Sequence, residues 1–259
     1  MIFAAGKGTR LKPLTDVIPK AMVPVGDVPL LQRVYLKLVE AGADRIMMNV
    51  HHHAQQLTNY AELLEAKHGV KIDISDESDN LLETGGGIKK AFLNDVRCTM
   101  YDVRCAVDEN ILIHNCDILS NVDLAKFYEE GKEADATLLV SERKTQRYLC
   151  FDDDMRLVGW TNIATGEVKG NVQMENGELK MENGCAPKLF AFSGIHIISP
   201  RLIERMKDYP DVFPIMDFYL KECATANIRG IVKTDLKLLD VGKLDTLEQA
   251  GEFLGELKK

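Results

Sequence analysis

The sequence of 259 residues predicts an α/β fold in which helices cover both faces of a mixed, mostly parallel sheet. Two observations support this prediction. Short apolar runs alternate with stretches of helical periodicity up to about residue 140, which is typical of βαβ units. The length also allows one large domain with a sizeable apolar core. We therefore expect a single domain over 1–259, in a Rossmann-like three-layer α/β/α arrangement.

The first half of the chain, residues 1–146, supplies the regular alternation. The apolar run before Gly6 predicts a strand, and the apolar positions of residues 30–41 recur at helical spacing until Gly42 ends the segment. Further strands are predicted at residues 45–50, 70–74, 111–114 and 136–140, and further helices at 54–68, 85–93 and 122–133. Residues 94–110, which include Cys98 and Cys105, are expected to form a loop insertion.

The pattern changes near Arg147, where the second half, residues 147–259, begins. Short apolar stretches and the Asn-Gly pairs at 176–177 and 183–184 predict hairpins, and we expect a small β-rich lobe over residues 147–188. The α/β pattern then returns. It predicts strands at 189–198, 229–233 and 237–240, and helices at 200–207, 214–226 and 243–257.

The composition excludes several classes of protein. A net charge of −8 argues against nucleic acid or an anionic membrane surface as the main partner. The sequence contains no run of eighteen apolar residues, so no membrane span is predicted. No signal peptide is expected at the N-terminus. The six cysteines are scattered without a C-x-x-C pair, which favours reduced thiols in a cytoplasmic protein.

The first twenty residues combine two glycines with a hydroxyl and two cations. A short apolar run stops at Gly6 and Gly8, Thr9 and Arg10 follow at once, and Lys20 comes ten residues later. Glycines let the backbone turn tightly and bring its N–H groups close to an anion. The spacing matches neither G-x-G-x-x-G nor G-x-x-x-x-G-K-[ST]. The segment is predicted to bind a polyphosphate; an ordinary turn with two surface cations is the alternative.

Two aspartates stand at the ends of predicted strands, Asp117 just past residues 111–114 and Asp240 at the end of residues 237–240, before the last helix. In an open α/β sheet, ligands bind outside the carboxyl ends of the strands. Two carboxylates there could share one Mg²⁺, with phosphate oxygens and water as the remaining ligands. Each aspartate alone would more often be a helix N-cap or a loop carboxylate.

Three other segments invite functional interpretation. Leu82–Ile88 contains three glycines at a helix start, where free N–H groups could read the edge of a flat ring; a plain helix cap is the alternative. His51–His53 are consecutive and therefore cannot easily face one metal ion. Gly194, inside an apolar strand, marks a β-bulge or close packing.

The string A-A-G-K-G-T-R-L-K-P-L-T…P-K at residues 4–20 resembles the signature of the sugar-1-phosphate nucleotidylyltransferases. L-E-T-G-G-G, F-S-G-I and L-D-V-G extend the resemblance over nearly the whole chain. It is closest to short bacterial members without hexapeptide repeats, such as N-acetylmuramate-1-phosphate uridylyltransferase and mannose-1-phosphate guanylyltransferase-like proteins. The resemblance implies that a nucleoside triphosphate, with UTP favoured, and a sugar 1-phosphate give a nucleotide-sugar and pyrophosphate.

The resemblance also implies roles for individual residues. It makes residues 1–146 the nucleotide-binding half and residues 147–259 the sugar-binding half. Mg²⁺ is the implied cofactor, with Asp117 and Asp240 as its ligands. The implied catalytic residues are Arg10, Lys20 and Asp117. The implied nucleotide-binding residues are Ala5, Gly6, Gly8, Thr9, Arg10, Glu77, Thr84 and Gly85, and the implied sugar-binding residues are Gly194 and Asn162.

Departures from the family pattern leave the substrate open. Leu149 stands where many relatives have glycine after Arg147-Tyr148, Cys116 replaces a glycine before Asp117, and the Glu-Lys-Pro element is missing. Guanylyl transfer to mannose 1-phosphate and cytidylyl transfer to phosphocholine are the alternatives of the same class. A catalytically silent nucleotide-sugar sensor is the alternative of another class; it would be expected to lack some of Arg10, Lys20 and the two aspartates, which are all present.

Overall fold

The computed structural model describes residues 1–94 and 109–257. Cys98, Cys105 and most of the predicted insertion at 94–110 lie outside the described residues. The helices are α1 (Leu30–Glu40), α2 (Ala54–His68), α3 (Glu83–Lys89), α4 (Leu124–Gly131), α5 (Pro200–Glu204), α6 (Ile215–Glu222) and α7 (Leu244–Leu257). The strands of the first half are β1 (Ile2–Phe3), β2 (Pro24–Val25), β3 (Val28–Pro29), β4 (Arg45–Val50), β5 (Lys71–Asp76), β6 (Ile111–Asn115), β7 (Ile118–Ser120) and β8 (Ala136–Ser141).

The strands of the second half are β9 (Arg147–Phe151), β10 (Leu157–Asn162), β11 (Glu167–Gly170), β12 (Val172–Glu175), β13 (Glu178–Met181), β14 (Lys188–Ile198), β15 (Ile228–Val232) and β16 (Leu238–Asp240). The central sheet runs in the order β15-β8-β14-β6-β1-β4-β5. Strand β14 is antiparallel to both of its neighbours there, and the other pairs are parallel. The predicted mixed, mostly parallel sheet is confirmed.

Alternating side chains of the sheet build two separate cores, as expected for a three-layer α/β/α fold. Ile2 and Met48 pack in one core with residues of α1, α2, α4 and α7. Ile113 and Leu138 point to the other face and pack with residues of α3, α5 and α6. Because successive side chains of a strand alternate between its faces, apolar runs without alternation are what a sheet covered on both sides requires.

The β-rich lobe expected over residues 147–188 differs from the prediction. Strand β9 pairs with Lys188–Phe190 of β14, in line with β8 along the same strand, so β9, β10 and β11 extend the main sheet. Within residues 147–188, only β12 and β13 form a separate hairpin, whose turn contains the predicted Asn176-Gly177 pair. The hairpin predicted at 183–184 is wrong: Gly184 lies in a turn after β13, and the chain then enters β14, which pairs elsewhere.

Strand β7 was not predicted, and its pairing with β16 brings the segments of the candidate site together. Residues 118–120 pair antiparallel with β16, so that the ends of two distant segments lie side by side. The helix predicted over 122–133 is shorter, because Asp123 caps its start by accepting a hydrogen bond from the Lys126 N–H at 2.9 Å.

Within the described residues, none of the helices has the length and apolar character needed to cross a membrane. The cytoplasmic location stays a prediction.

Candidate active site

The N-terminal glycine turn lies at the carboxyl end of β1, between β4 and β6 in the middle of the sheet. Gly8 has φ +64°, and its carbonyl oxygen accepts a hydrogen bond from Thr15 Oγ1 at 2.8 Å. A side chain at Gly8 would lie 2.8 Å from the Thr15 methyl group, so only glycine fits. Leu11 is buried and anchors the turn. Gly6, in contrast, is exposed and has nothing within 4 Å of where a Cβ would be, so its backbone is open to a ligand.

The two candidate acidic ligands lie together. Asp117 stands between β6 and β7, and Asp240 is the last residue of β16, where it pairs with Ile118. The Val241 N–H donates to the Asp117 carbonyl oxygen at 2.8 Å. Asp240 has an exposed surface, but its carboxyl group is partly desolvated; this burial and then the charge of Asp117 raise its pKa. The structure therefore brings together two carboxylates from positions 123 residues apart in the chain, as 240 minus 117 gives.

Three cations surround this acidic pair. The Lys20 ammonium forms an ion pair with Asp117, and only 16% and 18% of their respective side-chain surfaces are exposed. A Cβ at Gly242 would lie 2.7 Å from an Arg10 guanidinium nitrogen and 2.6 Å from Asp240 Oδ1, so Arg10 and Asp240 meet above this glycine. The charges of Lys20, Arg10 and Arg143 all act on the Asp240 carboxyl and oppose the rise of its pKa.

A cavity of about 230 Å³ opens beside these residues. Its walls come from the segment after β1, from the Lys20 turn, from the ends of β4 and β5, from the start of α3 and from the end of β6. The lining residues are Phe3, Ala4, Ala5, Gly6, Lys20, Ala21, Asn49, Glu77, Leu81, Glu83, Thr84, Asn115, Cys116 and Asp117. Six of the predicted site residues therefore line one cavity, namely Ala5, Gly6, Lys20, Glu77, Thr84 and Asp117. Gly8, Thr9 and Arg10 belong to the adjoining turn.

A buried polar chain links two walls of the cavity. The Ala4 N–H donates to Asn49 Oδ1 at 2.9 Å, and Asn49 Nδ2 donates to Glu77 Oε1 at 2.8 Å. The Leu82 N–H donates to the other oxygen of Glu77 at 3.1 Å. Burial raises the pKa of Glu77. Sequence reasoning missed Asn49, although a lone amide at the end of the apolar run Arg45–Val50 was a signal that could have identified it.

The second glycine turn, within Leu82–Ile88 at the start of α3, is packed rather than open. The N–H groups of Gly85 and Gly86 both donate to the Phe213 carbonyl oxygen, at 2.8 and 3.2 Å. The Thr84 hydroxyl accepts from the Ile215 N–H at 2.9 Å. The expectation of free amide donors is therefore wrong for Gly85 and Gly86, and Gly85 does not line the cavity. The small residues admit Phe213 against the helix start.

The remaining predicted residues lie around the cavity or away from it. Gly194 has φ +75°, and a Cβ there would lie 2.7 Å from Asn115 Nδ2, so close packing explains this glycine. Asn162 is the last residue of β10, and its Oδ1 accepts a hydrogen bond from the Ala164 N–H at 3.0 Å; it does not line the cavity. His51–His53 follow β4. Within 1–94 and 109–257, no three His, Cys, Asp or Glu side chains form a metal-binding group.

Comparison with known proteins identifies relatives of this chain. A family described as nucleotidyl transferase matches residues 1–149. The chain is 44% identical over 238 residues to N-acetylmuramate alpha-1-phosphate uridylyltransferase of Caulobacter vibrioides, which covers 91% of this chain and 88% of that protein. It is 31% identical over 264 residues to the protein of the same name from Neisseria meningitidis, covering 100% of this chain and 99% of that protein.

A solved structure shares the fold. The crystal structure of HddC from Yersinia pseudotuberculosis complexed with GMP-PN has a TM-score of 0.68 and 25% sequence identity, covering 98% of this chain and 97% of that one. The chain belongs to the nucleotidyl transferase family and is an enzyme of the sugar-1-phosphate nucleotidyltransferase kind.

Proposed function

We propose that this enzyme transfers a uridylyl group from UTP to N-acetylmuramate α-1-phosphate with Mg²⁺ as cofactor and releases pyrophosphate. The observation that carries the proposal is the meeting of Asp117 and Asp240 with Arg10 and Lys20 beside an open glycine turn. The two uridylyltransferases that match nearly the whole chain support the choice of base and sugar.

The reaction joins two anions, so the main task of the protein is to neutralise and align them. An oxygen of the sugar phosphate attacks the α-phosphorus of UTP; the bond between that phosphorus and the bridging oxygen of the β-phosphate breaks, and pyrophosphate leaves with the electron pair. The attacking oxygen is already ionised near neutral pH, because the second pKa of a phosphate monoester is about 6. No general base is required.

The N-terminal turn suits the triphosphate. The backbone at Gly6 is open, and the amides of Gly6–Thr9 can approach phosphate oxygens without interference from side chains. Arg10 would hold the charge that builds on the departing pyrophosphate. Lys20 stands at the cavity wall and would hold the α-phosphate or the sugar phosphate. Losing one such electrostatic contact commonly slows a reaction by 10² to 10³, or about 3–4 kcal/mol.

The donor chemistry at the acidic pair fits Mg²⁺. Two aspartate carboxylates supply hard oxygen ligands, and each is close enough to the other for the charge of Asp117 to raise the pKa of Asp240. Mg²⁺ in phosphoryl-transfer sites takes one or two carboxylates together with substrate phosphates. Asp117 and Asp240 would hold the ion, which neutralises phosphate charge when bound.

The wall formed by Glu77 and Thr84 is the proposed nucleobase site. Glu77 is fixed by Asn49 and by the Leu82 N–H, and it lines the cavity. Gly85 would act by holding the Thr84 turn against Phe213 rather than by touching the base. The sugar is proposed to lie towards Gly194 and residues 147–188, with Asn162 as a predicted contact.

A substrate panel tests the proposal. The protein is incubated with Mg²⁺, each of the five nucleoside triphosphates, and the 1-phosphates of N-acetylmuramate, N-acetylglucosamine, glucose and mannose, with phosphocholine as a further acceptor. Pyrophosphate release is measured. We expect the highest kcat/KM with UTP and N-acetylmuramate α-1-phosphate, and no release without Mg²⁺. Faster turnover with another base or sugar would contradict the substrate assignment.

Guanylyl transfer is the second candidate, because the fold matches a protein solved with GMP-PN at 25% identity. A preference for GTP in the same panel would establish it. Binding of UDP-N-acetylmuramate without pyrophosphate release from any pair would instead favour the sensor.

A further inference from the structure

Arg143 lies in the segment between β8 and β9, beside an irregular stretch of β14. Its Nη2 donates to the Phe192 carbonyl oxygen at 3.1 Å. The pairing of β14 with β8 shifts between Phe192 and His196, and Gly194 has φ +75° within this bulge. The hydrogen bond therefore holds the guanidinium of Arg143 against the N-terminal side of the bulge.

The other side of the same bulge contacts the cavity. Gly194 lies against Asn115, which lines the cavity and precedes Asp117 by two residues. The bulge therefore connects the guanidinium of Arg143 to the cavity lining. Arg10 and Lys20 both come from the N-terminal segment, whereas Arg143 comes from a different part of the sheet.

The guanidinium of Arg143 forms no salt bridge with an acidic side chain of residues 1–94 and 109–257. Lys20 pairs with Asp117, whereas the exposed Arg143 donates its hydrogen bond to a neutral carbonyl group. A guanidinium carries five N–H donors in a planar fork that matches phosphate oxygens. One donor of Arg143 is engaged at Phe192, which orients the side chain and leaves the others available.

We propose that Arg143 binds the phosphate group of the sugar 1-phosphate. This inference rests on the proposed function. In that reaction the attacking oxygen and the leaving pyrophosphate lie in line on opposite sides of the α-phosphorus. The N-terminal turn and Arg10 are placed to hold the leaving group, and Lys20 is paired with Asp117, so a further ligand for the attacking phosphate has to come from another part of the chain. Arg143 meets this condition.

Initial rates test the proposal with the substrate pair that the wild type turns over best. In Arg143→Gln we expect the KM for the sugar 1-phosphate to rise by about 10- to 100-fold, as for loss of hydrogen bonds to a charged group. The KM for the nucleoside triphosphate stays within about twofold. Arg143→Lys keeps the charge but loses the planar fork of donors, so its KM for the sugar 1-phosphate should lie between those of the wild type and Arg143→Gln. Lys144→Gln removes the neighbouring exposed cation and should leave both KM values unchanged.

Three further results decide between explanations. Thermal unfolding of Arg143→Gln should match the wild type; a general loosening of β14 would lower stability and affect both substrates. N-Acetylglucosamine 1-phosphate, which lacks the lactyl carboxylate, should inhibit competitively, with a Ki raised about as much as the KM. A rise confined to N-acetylmuramate 1-phosphate would move Arg143 to the carboxylate and overturn the proposal.

The failure of this inference differs from failure of the proposed function. An unchanged sugar-phosphate KM in Arg143→Gln overturns the role of Arg143 alone, because the enzyme still turns over. An equal rise of both KM values overturns it as well. If the wild type releases no pyrophosphate from any substrate pair, the proposed function fails and this inference fails with it.

Discussion

The two glycine turns of this protein use the absence of a side chain in opposite ways. At the N-terminal turn, Gly6 is exposed, and the space where a Cβ would stand is empty. At the start of α3, Gly85 and Gly86 are buried, and the same space is filled by Phe213 and by the Asp211 carbonyl oxygen. The first turn keeps room for a ligand, whereas the second admits another part of the chain.

This difference shows what a glycine cluster in a sequence establishes. It predicts that something approaches the backbone closely, but it does not identify what approaches. At Gly6 the neighbouring Arg10 and Lys20 pointed to an anion, and the structure places both cations near the turn. At Gly85 the approaching group is Phe213, which lies 128 residues later, as 213 minus 85 gives.

The largest effect on stability is expected for Gly86→Ala. A methyl group there would overlap the Asp211 carbonyl oxygen, which is backbone and cannot rotate away. We expect a loss of about 3 kcal/mol in the free energy of unfolding, at the upper end of the range for overpacked cores. Urea denaturation measures it.

Gly251→Ala is the matched control. Gly251 is an exposed helical glycine of α7 with nothing within 4 Å of its Cβ position. Alanine at this position should raise the free energy of unfolding by roughly 0.5–1 kcal/mol. Equal unfolding free energies for Gly86→Ala and the wild type would show that the second turn is not packed as described.

For Gly6→Ala we expect a smaller effect, on activity rather than on stability. The unfolding free energy should stay within about 0.5 kcal/mol of the wild type, as for a surface substitution. The added methyl group would occupy the space where phosphate oxygens approach the backbone. Pyrophosphate release should fall about tenfold, which corresponds to about 1.4 kcal/mol. Full activity in Gly6→Ala would remove the distinction between the two turns.

Much of the fold was predictable because it depends on local patterns. Helices α1 and α2 follow from apolar spacing that ends at Gly42 and Gly69, both with positive φ. The approach of Asp117 to Asp240 was predictable from their places at strand ends. Their contact through β7 and β16 was only partly predicted, because the three residues of β7 give too short a pattern.

Other features depended on contacts between distant segments. Strands β9 to β11 join the main sheet because β9 pairs with the first residues of β14, and no local signal distinguishes this from a separate lobe. Asn162 ends β10 and accepts a hydrogen bond from within the following turn, and its predicted role in sugar binding came from its place in the sequence alone. Arg143 carries no motif, and its position became apparent only from its bond to Phe192.

The smallest effect concerns Glu77, which anchors the second turn through Leu82. Burial raises its folded-state pKa above the ordinary 4.5. At pH values between the unfolded-state and folded-state pKa, Glu77 of the folded protein therefore holds a proton that the unfolded chain has lost. This contribution to stability disappears as the pH rises through the folded-state pKa. Glu77→Gln has no such titration.

Unfolding free energies at pH 4 and pH 7 measure this effect. Gln places an amide donor against either Asn49 or the Leu82 N–H, so a constant loss in stability is expected at both values. On top of that loss, the difference between Glu77→Gln and the wild type should move in favour of the variant as the pH rises. A shift in the opposite direction would mean that Glu77 is better stabilised as a carboxylate in the folded protein.

The central claim is that Asp117 and Asp240 form one site for a divalent cation, beside the cations that hold the phosphates. The most direct test is the rate of pyrophosphate release by Asp117→Asn and Asp240→Asn at saturating substrate and Mg²⁺. Both changes preserve the shape of the side chain and remove its charge. Asp245→Asn, at an exposed position near Asp240, is the control. The account predicts a loss of at least about 10²-fold in each of the two variants, normal activity in the control, and unfolding like the wild type in all three. Near-normal turnover in either Asp117→Asn or Asp240→Asn would contradict it.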